Sequence, residues 1–216
     1  KIFIAIDTNK IKAAKKIINL TNTNKLKIGY KFGLEFMLSK NGRNFISKLK
    51  NKITFIDIKA KDIPNTMKSA VKALKDLKIN YLTVHISSGI EALRAVKKVS
   101  GKIKIVGVTT LTSLDSKNLK EIGYNKSVKN LIIHQSKLAQ KAKLDAIVCS
   151  PNEANYVRKI FKKEIITPGV RFDKNKQDQK RTMHPSKIKS DWLVCGRIIT
   201  KGNIKNNLKK LIQYLN

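Results

Sequence analysis

The sequence predicts an α/β fold, a single closed (β/α)8 barrel, and three observations carry that expectation. Short apolar runs of strand length alternate with helix-period segments from end to end, there are eight such runs, and polar or glycine-rich residues gather at the end of each. Strands joined in series through helices run parallel. Eight of them suit a closed barrel better than an open doubly wound sheet, which is the alternative. At 216 residues the chain is short for such a barrel, typically ~250, so its connections must be tight. No linker, internal repeat or low-complexity stretch divides it, and one domain spanning 1–216 is expected.

The strand candidates, in order, are "IFIAID" (2–7), "KLKIGY" (25–30), "ITFIDIK" (53–59), "YLTVHI" (81–86), "KIVGVTTL" (104–111), "AIVCS" (146–150), "EIITPGV" (164–170) and "WLVCGR" (192–197). Between them lie amphipathic segments. Met67, Ala70, Val71, Leu74 and Leu77 follow one helical face, as do Val128, Leu131, Ile132, Gln135, Leu138, Ala139 and Ala142. Pro64 suits a first helical turn, and a last helix carries Ile204, Leu208, Leu211, Ile212 and Leu215.

Composition excludes several classes. No stretch approaches the ~18–20 apolar residues of a membrane span, and the opening "KIFIAID" runs into a strand pattern without a leader-like apolar core, so a soluble, cytoplasmic protein is expected. Cys149 and Cys195 sit far apart in apolar runs and read as buried free thiols. The net charge of +33 invites a nucleic-acid reading. Against it, only six of the 47 basic residues are Arg, the lysines are spread over nearly every helix, and aromatic residues are few. A solvated lysine-rich surface with weak, salt-sensitive adhesion to polyanions is expected, without a specific nucleic-acid site.

Barrels of this kind, TIM barrels, assemble their chemistry where the strands end. There the sequence places Asp7; Lys27 with Gly29; Asp57, Lys59 and Asp62; His85, Ser87 and Ser88; Thr109, Thr112 and Ser113; Ser150; Thr167, Pro168 and Gly169; and Gly196 with Arg197. Strand alternation puts Asp57 and Lys59 on one face, with Asp62 beyond the strand and free to point elsewhere, including toward another subunit. The isolated triplet fits a buried ion pair with a helix-capping Asp equally well. "TPGVR", with Pro168, Gly169 and Arg171, and "CGR", with Gly196 and Arg197, offer backbone N–H groups and guanidinium groups to a phosphate. The polar stretch 171–184 between them suits a lid. His85, His134 and His184 lack metal-ligand spacing, and no serine-nucleophile elbow, Walker loop or dinucleotide fingerprint is present.

In this order and spacing, "FIDIKAKDIPNT", "GVTTLTS", "CSPNEA", "ITPGVRFDKNKQDQKR" and "DWLVCGRIIT" resemble the orotidine 5′-monophosphate decarboxylases over essentially the whole chain. The resemblance implies a homodimeric barrel that converts orotidine 5′-monophosphate to uridine 5′-monophosphate and CO2 without metal or organic cofactor. It implies that Lys59 protonates C6, that Asp57 faces the substrate carboxylate, and that Lys27 and Asp62 complete an alternating charge array. Asp62 and Thr66 would come from the partner subunit. Asp7 and Lys27 would meet the ribose hydroxyls, Ser113 the pyrimidine edge, and Gln179, Gly196 and Arg197 the phosphate. Lys61 and "HISSG" depart from the family pattern. A Mg2+-dependent sugar-phosphate lyase or aldolase on the same barrel is the nearest rival, and a basic nucleic-acid-binding protein the more distant one.

Overall fold

Runs such as "IFIAI" and "WLVC" are buried along their whole length, the pattern of strands covered on both faces. In the computed structural model, which describes residues 1–172 and 182–215, these runs form a closed parallel barrel in which each strand pairs with its sequence neighbour and the eighth returns to the first. The elements are β1 (Ile2–Ile6), α1 (Ile11–Leu20), β2 (Ile28–Gly33), α2 (Leu34–Leu38), α3 (Gly42–Ser47), β3 (Ile53–Ala60), α4 (Pro64–Ala73), β4 (Tyr81–His85), α5 (Ile90–Val99), β5 (Lys104–Val108), α6 (Ser116–Glu121), α7 (Val128–Lys141), β6 (Ala146–Val148), α8 (Ala154–Ile160), β7 (Glu164–Thr167), β8 (Trp192–Cys195), α9 (Arg197–Thr200) and α10 (Ile204–Leu215).

The helices begin where local chemistry supplies a start. Asp115 forms a capping box with Asn118 at α6, the Ser127 hydroxyl accepts from the Asn130 N–H at α7, and Pro64 occupies the first turn of α4. Buried stripes then lay each helix on the barrel: Met67 and Val71 from α4, Leu131, Ile132, Gln135 and Ala139 from α7, Ile204, Leu208 and Leu211 from α10. Among the described residues, no helix is long and apolar enough to cross a membrane.

Inside the barrel, the N-terminal end is plugged by aromatic rings. Phe3 stacks on Trp192 at 4.2 Å between centroids, and Phe55 and Tyr81 pack around the pair. Gly29, expected among the functional residues at a strand's end, lies in the second position of β2 and belongs to this plug. A Cβ there would meet the Phe3 ring at 2.6 Å. Above the rings the lumen is lined by the small side chains of Ala5, Val108, Val148 and Val194, which leave room for a cavity at the C-terminal mouth.

At the N-terminal rim the same clasp occurs three times. The residue just before an even strand accepts a hydrogen bond from the backbone N–H of the second residue of the preceding odd strand: Asn80 from Thr54 (2.9 Å), Asp145 from Ile105 (2.9 Å) and Asp191 from Ile165 (2.7 Å). Lys97 pairs with Asp145 at 2.6 Å, and Arg158 pairs with Asp191.

Candidate active site

The cavity at the mouth measures about 380 Å3 and draws side chains from both halves of the barrel. Its floor carries a chain of alternating charge. Asp7, one residue beyond β1, lies 3.7 Å from Lys31 Nζ on β2; Lys31 Nζ lies 3.2 Å from Asp57 Oδ2 on β3; Asp57 Oδ1 lies 2.9 Å from Lys59 Nζ. Lys31 and Asp57 are almost wholly enclosed, whereas Asp7 and Lys59 reach toward the opening. Burial alone would raise the Asp57 pKa, but Lys31 and then Lys59 outweigh it and hold the carboxyl below its ordinary value. For Lys31, burial acts to lower the pKa, and Asp57 and Asp7 together more than offset it. Both groups stay ionised because they face each other.

One expected member is replaced. Lys27 is exposed and precedes β2, at the end of the barrel away from the cavity, and its carbonyl accepts the backbone N–H of Ile2. The strand expected at 25–30 runs from Ile28 to Gly33, which moves its C-terminal lysine to Lys31. Lys31 therefore takes the position in the charge chain that the sequence reading assigned to Lys27.

Asp57 and Lys59 do share the cavity, but through an irregularity in β3. The β3–β4 register runs Phe55 to Tyr81 and Ile56 to Leu82, then jumps to Ala60 opposite Val84. At the jump Lys59 adopts a left-handed backbone, φ 49°, which costs a non-glycine residue on the order of 1 kcal/mol. The Lys59 N–H donates to the Thr83 hydroxyl at 2.8 Å, and that hydroxyl donates to Asp57 Oδ1 at 3.1 Å. Thr83 was not singled out in the sequence, because a threonine in mid-strand is an ordinary strand residue.

Asp62 and Thr66 stand apart from this chain, exposed on the connection after β3 and the first turn of α4. Asp62 does not cap α4; its Oδ1 accepts from the N–H of Ile63. Ile63 is 66% exposed and Leu34 and Leu38, after the adjacent strand, are 52% and 81% exposed. His85, at the end of β4, has its pKa lowered by burial and then by Lys61 and Lys59.

The other wall holds two guanidinium groups, those of Arg171 and Arg197. Ser113, Pro168, Gly169, Arg171, Gly196 and Arg197 all line the cavity, as the sequence predicts. Gly169 has φ 83°, a conformation that glycine adopts without strain. The Thr110 N–H and hydroxyl both donate to Gln135 Oε1 on α7, at 2.9 and 3.2 Å, which anchors the loop leading to Ser113. Gln179, with most of the expected lid, lies outside the described residues. The two ends of that stretch are joined: the Met183 N–H donates to the Gly169 carbonyl at 3.0 Å and the Arg171 N–H to the Met183 carbonyl at 3.1 Å. Among the described residues, no group of three or more His, Cys, Asp and Glu side chains converges on a possible metal position.

The family model for the orotidine 5′-phosphate decarboxylase / HUMPS family matches residues 1–211. A protein from Wolbachia sp. subsp. Brugia malayi named orotidine 5′-phosphate decarboxylase is 42% identical, over 98% of this chain and 96% of its own. One of the same name from Buchnera aphidicola subsp. Acyrthosiphon pisum is 40% identical, over 98% and 92%. Among solved structures, the orotidine 5′-phosphate decarboxylase of Lactobacillus acidophilus superposes with a TM-score of 0.87 at 25% identity, covering 100% of this chain and 98% of its own. The orotidine 5′-monophosphate decarboxylase of Methanocaldococcus jannaschii, complexed with the inhibitor BMP, does so with a TM-score of 0.79 at 26% identity, covering 100% and 98%.

Proposed function

Since the chain belongs to the orotidine 5′-phosphate decarboxylase / HUMPS family, we propose that it converts orotidine 5′-monophosphate to uridine 5′-monophosphate and CO2, the last step of de novo pyrimidine nucleotide synthesis. The observation that carries this reading is the Asp7–Lys31–Asp57–Lys59 chain beneath a cavity whose far wall holds Arg171 and Arg197. A phosphate against the arginines and the Gly196 backbone sets the nucleotide across the mouth, with the Ser113 wall toward the pyrimidine. The pyrimidine carboxylate then lies toward Asp57, and C6 toward Lys59 Nζ.

Breaking the bond between C6 and the carboxylate leaves an electron pair on C6. Lys59 is an ammonium already fixed where that charge develops, and in an enclosed site such a group stabilises the transition state far more than water does. Its proton passes to C6, CO2 departs, and the resulting amine regains a proton from solvent. Lys31 keeps Asp57 anionic and in place. Contacts made by the remote phosphate offset the cost of bringing the substrate carboxylate up to Asp57. The reaction as proposed uses no metal or organic cofactor.

The reading includes a homodimer and a cytoplasmic setting. Asp62 and Thr66 face out of their own site beside the exposed Ile63, Leu34 and Leu38, a position from which a second copy could receive them. The test is the loss of orotidine 5′-monophosphate absorbance on adding protein in EDTA, alongside Lys59→Ala shown to be folded by circular dichroism. Rapid loss with the wild type and none with the variant is expected. Folded wild-type protein that leaves the substrate intact in EDTA, yet acts on sugar phosphates with Mg2+, would replace this reading with the lyase or aldolase alternative.

A further inference from the structure

We propose that Thr83 is a positioning residue for the reaction: its buried hydroxyl ties the Asp57 carboxylate and the Lys59 backbone together, so that the ammonium is held at the reacting carbon. The inference rests on the decarboxylase reading above. At the jump in register, Asp57, Ile58 and Lys59 of β3 stand between the pairs Ile56–Leu82 and Ala60–Val84, with Thr83 as the one residue of β4 facing all three. At this irregularity the Lys59 N–H is bonded by a side chain of β4, the Thr83 hydroxyl.

Thr83 is fully buried, and its hydroxyl is used in both senses. Oγ1 accepts the Lys59 N–H at 2.8 Å and gives its only proton to Asp57 Oδ1 at 3.1 Å, the same oxygen that Lys59 Nζ meets at 2.9 Å. Three bonds thus close a loop from the Lys59 backbone, through Thr83 and the carboxylate, to the Lys59 ammonium. The loop fixes both ends of the lysine, and it does so at a residue whose backbone lies in the left-handed region. Thr83 does not line the cavity, so it acts on the substrate only through Asp57 and Lys59.

The test compares Thr83→Val, Thr83→Ser and Thr83→Ala with the wild type in the absorbance assay, with thermal melts to establish the folded fraction. Valine keeps the shape and removes the hydroxyl. Serine and alanine differ by a single oxygen, so their comparison decides the question if the valine variant does not fold. Expected are kcat values reduced about 10- to 100-fold in the valine and alanine variants, KM within about threefold of wild type, and a serine variant restored to within about threefold in kcat. Equal kcat for serine and alanine, or a folded valine variant with wild-type kcat, would overturn the role of Thr83. So would losses confined to KM or to folded fraction, which is how a merely structural threonine behaves. A folded wild type without turnover is a different result: it overturns the functional reading itself.

Discussion

Exchanging Lys31 for methionine, beside the same exchange at Lys27, separates the lysine in the charge chain from the one outside it. Lys31 Nζ lies 3.2 Å from Asp57 Oδ2, a separation worth about 5 kcal/mol at an effective dielectric of about 20. Lys59 remains 2.9 Å from the other oxygen of the carboxylate, so Asp57 is weakened and not abandoned. Removing one partner of a buried pair costs about 3–5 kcal/mol, and the retained Lys59 contact places this case near 3. For a chain of this length that lowers the melting temperature by about 6–12 °C. Turnover should fall about a hundredfold, because Asp57 loses the cation that keeps it charged and oriented. Lys27→Met, at an exposed site, should stay within about 0.5 kcal/mol and leave turnover unchanged. Urea titration with the absorbance assay measures both quantities. Losses at Lys27 as large as those at Lys31, or none at Lys31, would refute the assignment.

Four further outcomes follow. Asp57 has a folded pKa below its ordinary 3.8, so it stabilises the fold above about pH 4 and that contribution disappears as pH falls through the folded value; Lys31 has one above 10.5, so its contribution is complete below about pH 10.5 and lost as pH rises through the folded value. His85, lowered from 6.5, makes the unfolded chain the better proton acceptor below about pH 6.5, so stability should begin to decline there, and His85→Asn should flatten that part of a denaturation-against-pH curve. A surface carrying a net charge of +33 should draw an anionic nucleotide inward, so kcat/KM should fall as ionic strength rises, and a flat dependence would dismiss steering. Gly29→Ala drives a methyl into the Phe3 ring and the Ile53 side chain and should cost about 1–3 kcal/mol by urea titration.

The number, order and parallel sense of the strands were legible because strands buried on both faces leave unbroken apolar runs that few other elements produce. The β2 boundary was not. Leu26 and Ile28 continue an apolar alternation, whereas Lys31 interrupts "IGYKFG" with a charge, and that charge is the one that stands between Asp7 and Asp57. Asp57 and Lys59 were found by period-2 spacing, although the backbone between them departs from it. The bulge itself has no sequence signature, since Lys59 occupies a left-handed conformation more often given to glycine or asparagine. Thr83 and Gln135 escaped notice as functional residues because their roles depend on which neighbours the barrel brings opposite them. Ser113, Pro168, Arg171, Gly196 and Arg197 were legible because chain breaks after strands mark the mouth wherever the precise ends fall.

The three rim clasps each join an odd strand to the even strand after it: β3 to β4, β5 to β6 and β7 to β8. The barrel is therefore jointed in strand–helix–strand modules. A cut in the turn between α5 and β5 leaves every clasp within one piece or the other, parting the Lys97 side chain from Asp145, whereas a cut between α7 and β6 breaks a clasp itself, that of Asp145 with the amide of Ile105. The two pieces of the first cut also divide the labour of the site. One holds Asp7, Lys31, Asp57, Lys59 and Thr83, the half to which the proposed reaction assigns the proton; the other holds Arg171 and Arg197, the half to which it assigns the phosphate. The cavity is the seam between them, and the closing of the barrel is the event that brings reagent and handle together.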